Sequence, residues 1–408
     1  AEVIDAARLN RDPAVLWEAQ AHRARLLTSI PGREAGAEAA FRDALATIDV
    51  EWTRLGGDEH RIGFLSPLMR FHTDYVDFLV ARNQSERAAQ FIDESRARVL
   101  ARKLDRPTPA RPAPGAVVLS YWLGTTKSYL WIRGARGFAQ AILPPRSVIE
   151  DLVNRYSREI LDTGDPLDRD SAAGRELYRA LVAPAEAHIP LGARVLIIPD
   201  GSLHALNFET LLVDGPPLHY WIEDAAVAVA PSMRVLDPAP PLPAHDRALF
   251  IGDPAFADPR FPPLPALKEE AGIVRRHFPR GDSYTREQAI PAAYRQASSG
   301  AHSVVHFAAH ATANVESPLD SAVILSRSGD QYKLYARDVM GFPLAARVVT
   351  ISACYSAGSK AFRGEGLMGF AWAFLQAGAR NVVAGIWEAD DGFAPRLMDR
   401  FYHRLAAG

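Results

Sequence analysis

Cysteine is almost missing from these 408 residues: Cys354 is the only one. A single thiol excludes an intrachain disulfide framework and a multi-thiolate zinc site, and it fits a reducing cytoplasm. Charge imbalance is missing too. With a net charge of −2 the chain has no broad electrostatic footprint for nucleic acid or an acidic membrane surface. Lysine is scarce, five among 46 basic residues, and no basic run clusters, so the arginine excess reads as a composition bias. No stretch approaches the roughly 18 apolar residues of a spanning helix. The N-terminus lacks the basic-then-apolar pattern of a signal peptide, and it opens on Ala1 rather than Met, which suits a fragment or a processed form. What remains is an ordinary globular composition, 48% hydrophobic and 23% charged, in a chain long enough for two or three domains.

Periodicity divides the chain. Residues 1–105 follow a helical spacing, with large apolar residues at Phe71, Tyr75, Phe78 and Leu79, and a further helix over 86–103 that carries Ala88, Phe91, Ile92, Val99 and Leu100 on one face. Ser85 suits the N-cap of that helix. Earlier helices over roughly 12–28 and 36–54 flank a break at Pro31-Gly32, and the pairing suggests degenerate tetratricopeptide-like repeats. Such bundles bind peptides or pack against a neighbour, so a protein partner is expected there. A proline-rich linker over 106–115 follows, and then the period changes from 3.6 to 2. Residues 116–236 read as a β-hairpin (Val117–Leu123 and Tyr129–Arg133), helices near 147–162 and 174–188, and strands at Val195–Ile198 and Ala225–Val229. Pro199-Asp200-Gly201 reads as a structural turn. A second proline-rich link spans 237–247. From 248 to 408 short apolar strands (248–251, 303–307, 348–352, 381–386) alternate with helices near 266–278, 287–297, 364–377 and 392–405, and 321–325 adds a hairpin strand. That alternation predicts an α/β fold with a mainly parallel sheet and flanking helices.

Sheets of this kind place ligands beyond the carboxyl ends of their strands. Cys354 stands just behind the run Val348-Val349-Thr350-Ile351-Ser352, and 44 residues upstream Ser303–Phe307 ends in Ala308-Ala309-His310. A lone cysteine is more often a small buried hydrophobe than a nucleophile, but here a thiol and an imidazole each follow an apolar strand. Parallel neighbours lie about 4.8 Å apart, and the residues between the two runs suffice for the crossover. An imidazolium nearby raises the thiolate fraction of a cysteine. Cys354 is therefore the candidate nucleophile and His310 the candidate acid/base. Backbone N–H groups of Cys354 and Ala311 are the candidate oxyanion donors. Ser352 is placed to line a substrate pocket, with a plain packed serine as the alternative.

These residues match a known family. Val305–Ala311, Ile351–Cys354, Gly364-Glu365-Gly366-Leu367 and the stretch from Phe374 through Trp387 to Asp391 resemble the CHAT family, caspase-like peptidases commonly joined to tetratricopeptide repeats. Val195–Leu211 resembles the amino-terminal half of that family, and Glu94–Arg98 resembles the repeat helix that precedes it. The resemblance spans roughly residues 70–408. It implies a caspase/separase-type fold in two halves, non-catalytic at 116–236 and catalytic at 248–408. It also implies a cysteine endopeptidase acting on a protein substrate without a cofactor, with His310 and Cys354 as the dyad and a repeat domain that senses or recruits a partner. Ala311 stands where many relatives have glycine. Relatives also continue beyond Gly408 with another strand, which implies a truncated sheet edge.

Three signals compete with that reading. Gly364-Glu365-Gly366-Leu367-Met368-Gly369 satisfies the dinucleotide pattern, but a phosphate-binding turn must follow its strand at once. The glycines read better as close packing at a helix start, with Glu365 suited to that helix N-terminus. His306 and His310 have the spacing of a helical zinc pair, yet they sit in or beside a β-branched strand with no third ligand, and His306 reads as a hydrogen-bonded strand histidine. Asp390 and Asp391 are candidate selectors of a basic substrate side chain, with an N-cap of the last helix as the alternative. The main rival to an enzyme is a catalytically inactive scaffold whose helical region is the functional surface.

Overall fold

A computed structural model of the protein describes residues 2–106, 112–236, 247–256, 258–297, 302–353, 358, 360–362, 365–387 and 392–407. Six helices come first: α1 (Glu2–Leu9), α2 (Pro13–Thr28), α3 (Glu34–Arg54), α4 (Asp58–Ala81), α5 (Ser85–Ser95) and α6 (Arg98–Lys103). Asp12 caps α2 by accepting from the Val15 N–H at 3.1 Å, and Pro13 fills the first helical position. Trp17, Phe41, Phe71, Tyr75 and Phe78 interlock in the core of this region.

Two expectations change here. Ser85 is the first residue of α5 rather than its cap, and no side chain caps that helix. Asn83, at φ 59°, closes α4 so tightly that the next helix starts at once. The single helix expected over 86–103 is broken at Arg96-Ala97, where Ala97 takes the left-handed conformation at φ 49°. The break turns the Arg96 side chain into the neighbouring sheet, a tertiary gain that outweighs helix continuity.

That sheet follows. It contains β1 (Ala116–Trp122), β2 (Ser128–Gly134), β3 (Gly137–Leu143), β4 (Ala193–Ile198) and β7 (Ala225–Val229), while β5 (Leu212–Val213) and β6 (His219–Tyr220) form a separate small pair. Helices α7 (Arg146–Thr163) and α8 (Ala172–Leu181) cover one face. The order is β3-β2-β1-β4-β7, antiparallel among the first three and parallel from β1 through β4 to β7. The edge strand β3 is absent from the sequence reading: Gly137-Phe138-Ala139-Gln140-Ala141 has little apolar alternation and lies only half-buried.

The last third builds a wholly parallel sheet. Its strands are β8 (Ala248–Pro254), β9 (Asp282–Arg286), β10 (Val304–Ala308), β14 (Val348–Ser352) and β17 (Val382–Ala384), in the order β17-β14-β10-β8-β9. Alternation along β8, β10 and β14 decides the two layers. Leu249, Ile251, Val305, Phe307, Val349 and Ile351 face α10 (Pro291–Ala297), α11 (Ala336–Val339) and α12 (Phe370–Ala377). Phe250, Val304, Ala308 and Val348 face α9 (Leu267–His277) and α13 (Ala394–Ala407). Between β10 and β14 the chain inserts a three-stranded sheet of β11 (Ala311–Thr312), β12 (Ala322–Ser328) and β13 (Gln331–Tyr335), which contains the hairpin strand expected at 321–325. A short antiparallel pair, β15 (Lys360–Phe362) and β16 (Gly366–Met368), precedes α12. The helix expected from 364 thus begins at Phe370. The protein is a mixed α/β structure with a helical N-terminal region, and among the described residues no helix is long and apolar enough to cross a membrane.

Candidate active site

His310 lies two residues past β10, at the carboxyl end of the parallel sheet. Gly252 stands opposite Ala308 on the β8 side, and a Cβ there would lie 2.6 Å from the Ala308 carbonyl oxygen. Only glycine permits that approach. The partly exposed imidazole packs between the rings of Phe256 and Phe261, at centroid distances of 5.0 and 5.7 Å. His310 Nε2 lies 2.8 Å from the Pro262 carbonyl oxygen. A carbonyl can only accept, so Nε2 carries a proton and Nδ1 is the acceptor of the neutral ring. The His310 carbonyl accepts from the Ile324 N–H at 2.8 Å, and Ala311 pairs with Val323 in the β11–β12 ladder. In that antiparallel register Ala311 is a non-hydrogen-bonded position, so the ladder leaves its N–H uncommitted.

Across from β10, Ser352 ends β14 in register with Ala308, and its carbonyl accepts from the Ala309 N–H at 3.4 Å. The Ser352 hydroxyl donates to Glu270 Oε2 on α9 at 3.2 Å. Glu270 Oε1 in turn lies 3.0 Å from His306 Nε2, close enough for an ion pair but off the line of a straight hydrogen bond. The Tyr402 hydroxyl bridges His306 Nδ1 at 2.6 Å and Thr350 Oγ1 at 2.9 Å, and Phe250 stacks on the His306 ring. His306 is thus a hydrogen-bonded strand histidine, as its β-branched surroundings suggested, and its partners differ from those of His310. Cys354, Asp390 and Asp391 lie outside the described residues, as do Gly364 and Glu388.

The reading of Glu365 is overturned. Its carboxylate lies at the start of α6 rather than α12, accepting from the N–H groups of Val99 at 2.8 Å and Leu100 at 3.4 Å. Burial pushes its carboxyl pKa up to about 7, against the lowering effect of those two hydrogen bonds. Gly366, at φ 90°, lets the chain pass Pro231 and His204, where a Cβ would come within 3.0 and 3.3 Å. The break between α5 and α6 makes this contact possible, and nothing in the local sequence announces it.

Asp200 holds the turn after β4, as expected, and does more. Its Oδ2 accepts from the Leu123 N–H at 2.8 Å, and its Oδ1 lies 3.7 Å from the buried Arg96 guanidinium. Arg96 also donates to the Tyr121 carbonyl and to Ser120 at 3.4 Å. Desolvation lowers the Arg96 pKa, and Asp200 and Asp93 offset that cost. Asp93 fixes the far side of the same junction by accepting from the Met233 N–H at 2.9 Å. Sequence reasoning missed three features: the Pro262 carbonyl, the Phe256–Phe261 clamp and Glu270. A backbone carbonyl has no residue signature, although the dense Phe-Pro run Phe261-Pro262-Pro263 marks a stiff segment after β8.

An α/β domain with a histidine at the carboxyl rim of a parallel sheet, preceded by helices, defines the class. A model of the CHAT domain matches residues 171–408, more than half of the chain, and the chain belongs to that family, which is related to caspase-like peptidases. A search of curated proteins finds no match.

Proposed function

We propose that the protein is a cysteine endopeptidase in which Cys354 is the nucleophile and His310 the acid/base. One observation carries the reading: β10 and β14 are paired neighbours with Ala308 opposite Ser352, so His310 and Cys354 each follow by two residues the end of adjacent parallel strands. The tautomer of His310 supports it. With Nε2–H held by the Pro262 carbonyl, Nδ1 is the nitrogen left to take the thiol proton.

In the proposed cycle the Cys354 thiolate attacks the scissile carbonyl carbon, and His310 protonates the leaving amine as the C–N bond breaks. Water, deprotonated by His310, then attacks the thioester, releasing the acid and restoring the thiol. The Ala311 N–H, uncommitted in its ladder, and the Cys354 N–H hold the oxyanion. Asp390 or Asp391 selects a basic side chain, and Ser352 borders the pocket. We assign residues 1–105 to a tetratricopeptide-like region that recruits a protein partner, and 116–236 and 248–408 to the two halves of a caspase-like unit in the cytoplasm.

The test is a proteome-wide cleavage profile of wild type against Cys354→Ala, run beside alkylation of the single thiol at neutral pH. Cuts lost in the variant, together with alkylation that slows in His310→Ala, are expected. Cuts unchanged by the mutation, or a thiol silent until denaturation, point to an inactive scaffold instead.

A further inference from the structure

The layer between the parallel sheet and α9 and α13 is mainly apolar among the described residues, with one polar cluster buried in it. Phe250, Leu267, Ala271, Val304, Ala308 and Val348 line it, yet Glu270, His306, Thr350 and the Tyr402 hydroxyl are buried among them. Replacing such a cluster by packed apolar side chains is often neutral or stabilising, so a buried carboxylate is poor evidence of a stability role. What the cluster does provide is a fixed geometry. It joins α9 through Glu270, β10 through His306, α13 through Tyr402, and β14 through Thr350 and Ser352. A second bond on the same interface, His277 Nε2 to Asp399 Oδ1 at 2.8 Å, ties α9 to α13 near its rim.

The cluster has one end directed at the site. Glu270 is wholly buried, and its Oε2 holds the hydroxyl of Ser352, the last residue of β14. Ser352 is only partly buried, and Cys354 follows it by two residues. The strand end is therefore held from beneath by α9 and from the side by the Ala309 N–H, the residue next to His310.

We infer that Glu270 is a positioning residue for the Cys354–His310 pair: braced by His306, its carboxylate fixes the exit of β14 through Ser352 and so sets the direction in which the chain leaves toward the nucleophile. The inference rests on the peptidase reading above. As a positioning residue Glu270 acts through Ser352, whose hydroxyl it holds. Because Oε1 faces His306 and Oε2 faces Ser352, one side chain couples the strand that leads to the base with the strand that leads to the thiol.

The experiment uses the full chain and iodoacetamide, supplied below the thiol concentration, with Cys354 as the only target. Wild type and His310→Ala are compared first. A reactivity that does not depend on His310 removes the peptidase dyad, and the inference falls with it before any Glu270 variant is made. With that dependence established, Glu270→Met is expected to react about tenfold more slowly near neutral pH while still melting cooperatively. An ordinary thiol is only a few per cent ionised there, which bounds the loss at about thirtyfold. Glu270→Gln, which keeps an acceptor for Ser352, is expected to stay within about threefold of wild type, a rescue that a charge requirement would not allow. A folded Glu270→Met that alkylates at the wild-type rate, with the wild-type pH midpoint, overturns the inference. Should Glu270→Met fail to melt cooperatively, Ser352→Ala decides, since it cuts only the final link. A several-fold slowing supports the role of Glu270, and an unchanged rate removes it.

Discussion

Each of the two five-stranded sheets carries a polar side chain two residues beyond a parallel strand, Asp200 after β4 and His310 after β10. Their fates differ. Asp200 is sealed: Arg96 reaches in from the helical region, the Leu123 N–H closes the other oxygen, and both side chains are buried. His310 stays partly exposed at the rim, clamped by two phenylalanines and oriented through Nε2 by the Pro262 carbonyl. The carboxyl end of a parallel strand collects polar groups in both sheets. On the proposed peptidase reading, the first is a structural junction because the helical region covers it, and the second a site.

The comparison breaks most sharply under substitution at the two equivalent positions. His310→Ala is expected to lower peptide cleavage by about 10²–10⁴-fold, read as kcat/KM on a cleaved peptide, while its urea midpoint stays near wild type. Asp200→Ala should do the reverse. It leaves the buried Arg96 guanidinium with only Asp93 to offset its charge and the Leu123 N–H without its acceptor, a loss of about 3 kcal/mol in urea unfolding, and equal stability effects at both positions would erase the distinction.

Glu365 sharpens the contrast, since it is a second buried tie from the helical region. Its pKa of about 7 lies above the ordinary 4.5. A raised carboxyl favours the folded state most when protonated, so its contribution is complete below about pH 4.5, shrinks as pH rises, and is gone above about 7. Melting curves of wild type and Glu365→Gln should therefore converge at low pH and separate progressively toward pH 8, by a difference on the order of 3 kcal/mol. A constant separation would place the titration elsewhere. Gly366→Ala tests the same junction sterically: a left-handed φ of 90° and a Cβ within 3.0 Å of Pro231 should cost about 1–3 kcal/mol. The smallest effect belongs to the rim. Phe261→Ala should slow thiol alkylation only a few-fold, by loosening the imidazole rather than removing it.

Much of this was legible before folding. The β-branched run Val348–Ser352 became β14 with the same bounds, and Ser303–Phe307 became β10 with a one-residue shift. Buried parallel strands are continuous apolar runs, so their ends can be read from the chain, and with them the position of His310. The helix over 86–103 was not legible as two pieces, because the energy that breaks it lies in Arg96 contacts with Ser120 and Tyr121, which no local propensity encodes. Nor was β3, whose pairing with β2 depends on a half-buried edge rather than on its own pattern. Glu365 was assigned to the nearest helix in sequence, and the backbone N–H groups it accepts from proved to be more than 260 residues away.

Alternation of side chains along a strand is a covalent property, so the order of residues alone determined where β10 and β14 run, which of their faces are apolar, and that an imidazole and the lone thiol each follow a strand. Pairing is not covalent. Only the tertiary structure decided that β10 and β14 are neighbours, that a proline carbonyl sets the protonated nitrogen of His310, and that Arg96 reaches in to seal the end of the first sheet. Those outcomes depend on groups from distant segments competing for the same buried volume, and that competition exists only once the chain has closed on itself.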